Sequence, residues 1–219
     1  MGKRAEAVSI IGGADGPTSV FIVGKEKGKR KRNLKQRIRA FFYERKKKRA
    51  EKIITANPHT LQEVTAYIIN QYGGVELLGD ERIVREEKNS LKTVLVLEHR
   101  SDLLGVLAKL DRPKEHTVEA VTEFMHQVRL REEAAEQISE EEFPMDFHVY
   151  EMRLFEGTLR VSIETVWEKF SVSYSSSSKT NMKKLRNIAK ELYCYYGVAE
   201  TDISLRSERY LALRQILCE

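Results

Sequence analysis

Cysteine pairs, metal-binding histidine patterns and long apolar runs are all missing from this chain of 219 residues. The two cysteines, Cys194 and Cys218, have no paired spacing, which excludes a disulfide framework and favours a reducing compartment. The five histidines show no spacing typical of a metal site, so we predict no bound metal. No segment holds the roughly 20 consecutive apolar residues that a membrane-spanning helix needs. The sequence therefore predicts a soluble, cytoplasmic protein without a transmembrane span, with a peripheral position at the membrane as the alternative.

The composition is that of a globular protein with a charge-rich surface. Hydrophobic residues make up 41% of the chain and charged residues 32%, which argues against wholesale disorder. A chain of this length can bury a substantial core, either as one large domain or as two small ones.

Positive charge is concentrated in one segment. Residues 25–52 contain 15 lysines and arginines against 3 acids, whereas the rest of the chain is net negative and the whole carries +5. Helical spacing of apolar residues predicts one long helix over residues 27–54. Its first half carries an apolar stripe formed by Leu34, Ile38, Phe41 and Phe42. We expect the first half to pack and the second half to project into water or onto a partner.

Such a concentration of positive potential favours a phosphate-rich or anionic partner. The candidates are nucleic acid, the ribosome and an anionic membrane surface. A protein partner, or a helix that is only solvated or that docks on the acidic remainder of the chain, is the alternative. The side chains predicted to bind a polyanion are Lys29, Arg30, Lys31, Arg32, Arg45, Lys46, Lys47, Lys48 and Arg49.

Hydrophobic periodicity predicts a helix-rich α+β fold with a small antiparallel sheet. Alternating residues in 147–155 and 158–167, joined at Glu156-Gly157, predict a β-hairpin that a third strand extends to about Tyr174. Helix starts are predicted at Asn57-Pro58, near Asp80, after Ser101, at Thr117, at Thr180 and at Asp202. We divide the chain into an N-terminal hairpin (1–25), a basic helix (26–56), a helical region (57–142) and a β-hairpin with two C-terminal helices (143–219).

The N-terminal segment has an unusual composition. Two short apolar runs, Val8–Ile11 and Val20–Val23, flank a loop that contains three glycines and Pro17. Asp15, in this loop, is the only ionisable side chain between Val8 and Gly24. The pattern predicts a strand, a loop and a second strand, with a single carboxylate presented among backbone dipoles.

The stretch from Ser9 to Lys25, with Gly-Gly-Ala-Asp-Gly-Pro-Thr at its centre, resembles the beta subunit of sodium-translocating decarboxylases of the oxaloacetate and methylmalonyl-CoA type. In that family the aspartate of the motif lies inside the membrane and is assigned to the transported sodium ion. The resemblance covers about 17 of the 219 residues. It implies a sodium ion as the ligand of a cation site formed by the residues Asp15, Gly13, Gly16 and Thr18. The remaining residues do not follow the family.

Signatures of catalysis are weak in this sequence. Gly16 is followed by Pro17 and Thr18 and not by the lysine of a phosphate-binding loop. The pattern from Ser176 to Lys179 matches that of serine acyl-enzymes, but it lies in a run of serines. We predict no catalytic residues and no cofactor beyond the sodium ion implied by the resemblance. The sequence favours an accessory or binding protein that carries the decarboxylase-like motif and associates with such a complex. The alternative is an electrostatic nucleic-acid-binding or ribosome-binding protein that acts through residues 25–52.

Overall fold

A computed structural model describes residues 10–13, 16–20, 34–111, 113 and 117–218 of the chain. These residues form a helix-rich α+β fold with a small antiparallel sheet, which confirms the predicted fold class. The elements, in chain order, are β1 (Ile10–Gly13), β2 (Gly16–Val20), α1 (Leu34–Ile53), α2 (Leu61–Tyr72), β3 (Val75–Glu76), α3 (Arg82–His99), a 3-10 helix (Ser101–Ala108), α4 (Val118–Gln137), β4 (Phe147–Leu154), β5 (Gly157–Glu164), β6 (Lys169–Ser176), α5 (Lys179–Tyr196), α6 (Glu200–Leu205) and α7 (Glu208–Cys218).

An N-terminal strand-loop-strand is present, but β2 begins at Gly16, within the predicted loop, and residues 21–23 of the predicted second strand lie outside the described residues. Strands β1 and β2 pair antiparallel in a two-stranded sheet, with Ile10 opposite Val20 and Gly13 opposite Gly16. Asp15, on which the predicted cation site depends, lies outside the described residues, between the two strands.

The second sheet has four strands in the order β3-β4-β5-β6. The turn between β4 and β5 lies at Phe155 and Glu156, one residue before the predicted position, and both residues have positive φ (52° and 54°). Gly157 instead begins β5, where a Cβ atom would lie 2.6 Å from the backbone oxygen of Ser175. The glycine is therefore required by the close approach of β6 and not by the turn.

The chain divides into two compact units, and strands β4 to β6 contribute residues to both. The first unit contains residues 77–149 and 162–169 together with the N-terminal residues up to Glu26. Helices α3, α4 and the 3-10 helix pack on one another in this unit. Their shared core consists of Leu95, Val96, Leu104, Ala135, Phe143 and Met145.

Trp167 completes this core from the connection between β5 and β6, although the sequence predicted it within the second strand of the hairpin, because β5 ends at Glu164. Its indole stacks on Phe143 and on His99, with ring centroids 4.7 and 4.6 Å apart. The fully buried carboxylate of Glu164 accepts hydrogen bonds from the backbone amides of Asp146, Val166 and Trp167. A buried charge is tolerated when it is hydrogen-bonded in this way, and here it holds the connection that carries Trp167.

The second unit contains residues 27–76, 150–161 and 170–219. Within it α1 and α5 each pack on α7, and α5 also packs on α2. Buried Val198, Tyr210 and Leu213 form a core cluster, against which Ile54 and Ile216 pack. The segment after α1 is held to the end of α5, because the Asn57 amide donates to the carbonyl of Val198 at 3.0 Å.

Three predicted helix ends differ from the structure. Thr60, and not Asn57, caps α2, since its hydroxyl accepts from the Glu63 amide and the Glu63 carboxylate accepts from the Thr60 amide in a capping box. Ser178, and not Thr180, caps α5, and part of the predicted serine loop belongs to β6. The predicted last helix is broken at Arg206, which adopts a left-handed conformation (φ 52°) and separates α6 from α7.

Candidate polyanion-binding surface on helix α1

The half of α1 that packs is the opposite of the half predicted from its apolar stripe. Ala50, in the C-terminal half, is buried, and this helix packs on α7. Two polar contacts with α7 support the packing: Glu51 Oε1 lies 3.1 Å from Arg214 Nη1, and Lys46 Nζ donates to the Cys218 carbonyl at 3.0 Å. The predicted stripe residues Ile38, Phe41 and Phe42 are instead exposed.

The reason for the reversal lies in α7. The last carbonyl groups of a helix lack intrahelical partners and attract cations, so the C-terminal end of α7 accepts a hydrogen bond from Lys46. Arg214 provides a charge partner for Glu51. A long basic side chain can cover apolar surface with its methylene stem while its charged end stays polar, so a segment rich in Lys and Arg is able to pack.

The face of α1 that points away from α7 combines basic and apolar side chains. With 3.6 residues per turn, Phe41, Arg45, Lys48 and Lys52 fall in one row along the helix. Ile38, Phe42 and Arg49 lie beside this row, and we call the four basic side chains, Arg45, Lys48, Arg49 and Lys52, the basic row. All of these side chains are exposed, and we call them together the outer face of α1, formed by Ile38, Phe41, Phe42, Arg45, Lys48, Arg49 and Lys52.

The basic residues of the outer face are available to a partner. Within the described part of the chain, Arg45, Lys48, Arg49 and Lys52 form no salt bridge. The residues of α1 include nine lysines and arginines against two glutamates, one of which, Glu51, is paired with Arg214. The other, Glu44, lies four residues before Lys48 and is exposed, so the four basic side chains of the outer face outnumber the one acid of α1 that is not paired with α7.

The residues predicted to bind a polyanion are divided by this geometry. Arg45, Lys48 and Arg49 lie on the outer face, whereas Lys46 is held by the Cys218 carbonyl and Lys47 is half-buried. Lys29, Arg30, Lys31 and Arg32 lie outside the described residues. Lys52 belongs to the surface but was not among the predicted residues, although its position four residues after Lys48 is a signal that the sequence contained.

The predicted cation site is only partly described. Gly13 and Gly16 face each other in the β1–β2 pair, Thr18 lies in β2, and Asp15 lies outside the described residues. No cluster of three or more His, Cys, Asp or Glu side chains with metal-binding geometry occurs elsewhere in the described ranges.

Asp146 and His148 form a second polar arrangement, at the start of β4. His148 Nε2 lies 2.9 Å from Asp146 Oδ1, and the Thr165 hydroxyl donates to the other oxygen of the same carboxylate. The hydrogen bond from Thr165 and the nearby His148 lower the pKa of Asp146. The carboxylate of Asp146 thus accepts from Thr165 on one oxygen and contacts His148 with the other. It ties the start of β4 to the residue after β5.

The aromatic residues near the end of α5 contact one another. Tyr195 stacks between Tyr67 and His59, with both centroid distances at 4.1 Å, and Phe170 packs against Tyr193 and Tyr196. These ring contacts make the tyrosines part of the packing of the second unit, and the outer face of α1 is the stronger candidate for binding.

Comparison with known proteins assigns neither a family nor a function to the chain. No protein-family model, curated protein or solved structure matches the chain. Among the residues described by the structure, no helix combines the length and the apolar character that crossing a bilayer requires. What the protein binds is therefore inferred from its own surface.

Proposed function

We propose that this protein binds polyanions through the outer face of α1. The observation that carries the proposal is the row of four exposed basic side chains, Arg45, Lys48, Arg49 and Lys52, without an acid paired to any of them in the described chain. At a rise of about 1.5 Å per residue this row extends for about 10 Å, which allows it to contact more than one phosphate group.

The binding energy in such a complex comes largely from the release of counterions. Each neutralised phosphate of duplex DNA contributes about 0.9 to the slope of log affinity against log salt concentration. Because the four side chains stand on one rigid helix that α7 supports, few additional residues must be ordered when the partner binds.

The test compares two variants with the same change in net charge. In the first, Arg45, Lys48, Arg49 and Lys52 are replaced by Gln; in the second, exposed basic residues elsewhere, Arg85, Lys109, Arg129 and Lys183, are replaced by Gln. We expect the first variant to bind a fluorescent single-stranded RNA, heparin and anionic vesicles about 100-fold more weakly than the wild type at low salt, with a shallower salt dependence. The affinity of the second variant for the same partners should fall by less than about 5-fold. Equal losses in the two variants would show that net charge, and not this surface, determines binding.

A second candidate function is supported by the N-terminal motif. We infer from its resemblance to sodium-translocating decarboxylase beta subunits that the protein is an accessory protein of such a complex, with sodium bound at Asp15. The antiparallel pairing of β1 with β2 supports this inference, because it places Gly13 opposite Gly16, two of the residues of the proposed site.

Thermal unfolding in sodium and in potassium at matched ionic strength tests the second candidate. A cation that binds only the folded state raises stability with its concentration. If the cation site exists, sodium specifically raises the melting temperature of the wild type, and Asp15→Asn abolishes that rise without changing the melting temperature in potassium. Identical unfolding curves in the two salts would contradict the proposed cation site and would not affect the proposal of polyanion binding.

A further inference from the structure

Apolar side chains occupy the N-terminal part of the outer face of α1, next to its basic row. Ile38, Phe41 and Phe42 are 46%, 60% and 58% exposed. The rings of Phe41 and Phe42 pack edge to face, with centroids 5.9 Å apart and planes at 72°. The three side chains thus form one contiguous apolar patch on a helix whose other half is strongly basic.

This combination restricts the kind of partner. Exposed apolar side chains that cluster on one surface mark an interaction site, because removing apolar surface from water lowers the free energy. A single-stranded nucleic acid can stack its bases on open aromatic faces, but it offers no apolar medium for Ile38, and one face of the Phe41–Phe42 pair is already covered by a ring edge. The patch therefore needs a partner that is both anionic at its surface and apolar beneath.

An anionic phospholipid leaflet has these two properties. Helices that lie in the plane of a membrane insert Phe, Leu or Trp side chains below the headgroups and place Lys and Arg among the phosphates. Clusters of four or more basic residues on such a helix bind acidic lipids, and their long stems reach the headgroups while the helix stays at the interface. On α1 both groups point to the same side, so one flat approach engages them together.

We propose, on the basis of the polyanion-binding function above, that the partner of α1 is the anionic surface of a phospholipid bilayer and that Ile38, Phe41 and Phe42 insert into it. The basic row of Arg45, Lys48, Arg49 and Lys52 binds the headgroup phosphates. Binding then has an electrostatic component that salt weakens and an apolar component that salt does not weaken.

The experiment uses the full chain and vesicles of phosphatidylcholine with or without phosphatidylglycerol, in a sedimentation assay at low and at physiological salt. The test variant carries Phe41→Ser and Phe42→Ser. Its matched control carries Val106→Ser and Leu205→Ser, which remove two apolar side chains that are exposed elsewhere. Binding of a single-stranded RNA is measured for every protein in parallel.

We expect the wild type to bind the vesicles only when phosphatidylglycerol is present. The Phe variant should lose at least about 10-fold of its vesicle affinity at physiological salt, while the control variant and the RNA affinity of the Phe variant change less than about 2-fold. A Phe41→Trp protein, added to vesicles, should show a blue-shifted fluorescence component that the wild type, with Trp167 as its one tryptophan, does not show.

Other outcomes separate this inference from the proposed function. If the Phe variant binds vesicles as tightly as the wild type, insertion of the patch is wrong while polyanion binding stands. If the wild type binds RNA but not the anionic vesicles, and the Phe variant no longer binds RNA, the partner is a single-stranded nucleic acid and the membrane inference is wrong. If the wild type binds neither RNA, heparin nor vesicles, the proposed function itself fails, and the inference with it.

Discussion

Gly197 shows how one residue holds a connection of the second unit in place. Its φ of 60° belongs to the region that favours glycine, and a Cβ atom would lie 2.0 Å from the carbonyl oxygen of Asn57. The Nε of Arg209 donates to the Gly197 carbonyl at 2.8 Å, and the Asn57 amide donates to the neighbouring Val198 carbonyl. Gly197 is the C-cap of α5, and its contact with Asn57 joins residues that are 140 positions apart in the chain.

We predict that Gly197→Ala lowers the free energy of unfolding by about 3 kcal/mol or more, because strain of the backbone and a clash with Asn57 add together. Gly73→Ala is the matched control: Gly73 also has positive φ (63°), but nothing lies within 4 Å of the added Cβ. Gly73→Ala should lower the free energy of unfolding by only about 1–2 kcal/mol. Urea unfolding followed by far-UV circular dichroism measures both values. Equal costs in the two variants would contradict a specific close approach at Gly197.

Helix α1 shows what an element's own pattern can and cannot predict. Its existence follows from residues that favour helix and from helical spacing, and the structure confirms the helix over the described part of the predicted range. The side of the helix that packs does not follow from this pattern. The apolar stripe predicted a buried first half, whereas Ile38, Phe41 and Phe42 are exposed and one side of the second half, at Lys46, Ala50 and Glu51, packs on α7.

The consequence for function is direct. Because the basic half packs through only one of its sides, Arg45, Lys48, Arg49 and Lys52 keep a common outward direction, and the aromatic residues left exposed extend that same surface. A helix that packed through its apolar stripe would have presented charge alone. Tertiary packing thus changes the expected partner from a purely electrostatic one to one with an apolar component.

At the scale of the whole molecule, several carboxylates titrate below their ordinary range in the folded state. The Thr165 hydroxyl lowers the pKa of Asp146. Burial alone would raise the pKa of Glu151, but hydrogen bonds from Arg160 and Arg153 outweigh it and lower that pKa. Burial would also raise the pKa of Asp202. Hydrogen bonds from the Ser207 hydroxyl and the Ala199 amide outweigh this effect, so the pKa of Asp202 is lowered. At these three carboxylates the unfolded chain takes up protons at a higher pH than the folded one, whereas burial raises the pKa of Glu132 and reverses the order there.

We predict that the free energy of unfolding is nearly constant from about pH 5 to pH 8 and falls as the pH drops below about 4, since a lowered folded-state pKa stabilises the fold only while the carboxylate is ionised. Glu151→Gln should lower stability at neutral pH by about 1–3 kcal/mol and flatten the acid slope. The exposed residue Glu168 provides the control, Glu168→Gln. Urea titrations across this pH range make the measurement. Stability that stays constant or rises on acidification would contradict the prediction.

The sequence by itself determined the helix-rich α+β class, the hairpin strands, the N-terminal strand-loop-strand and the concentration of basic residues, because periodicity, turn residues and charge are local properties. Tertiary structure decided why Gly157 and Gly197 must be glycine and which face of α1 remains exposed. Each of these depends on atoms that approach from distant parts of the chain: Ser175 beside Gly157, Asn57 beside Gly197, and α7 beside α1. A local pattern shows that a side chain is apolar or charged, but only the packed neighbours determine whether that side chain meets the core, a carbonyl group or the solvent.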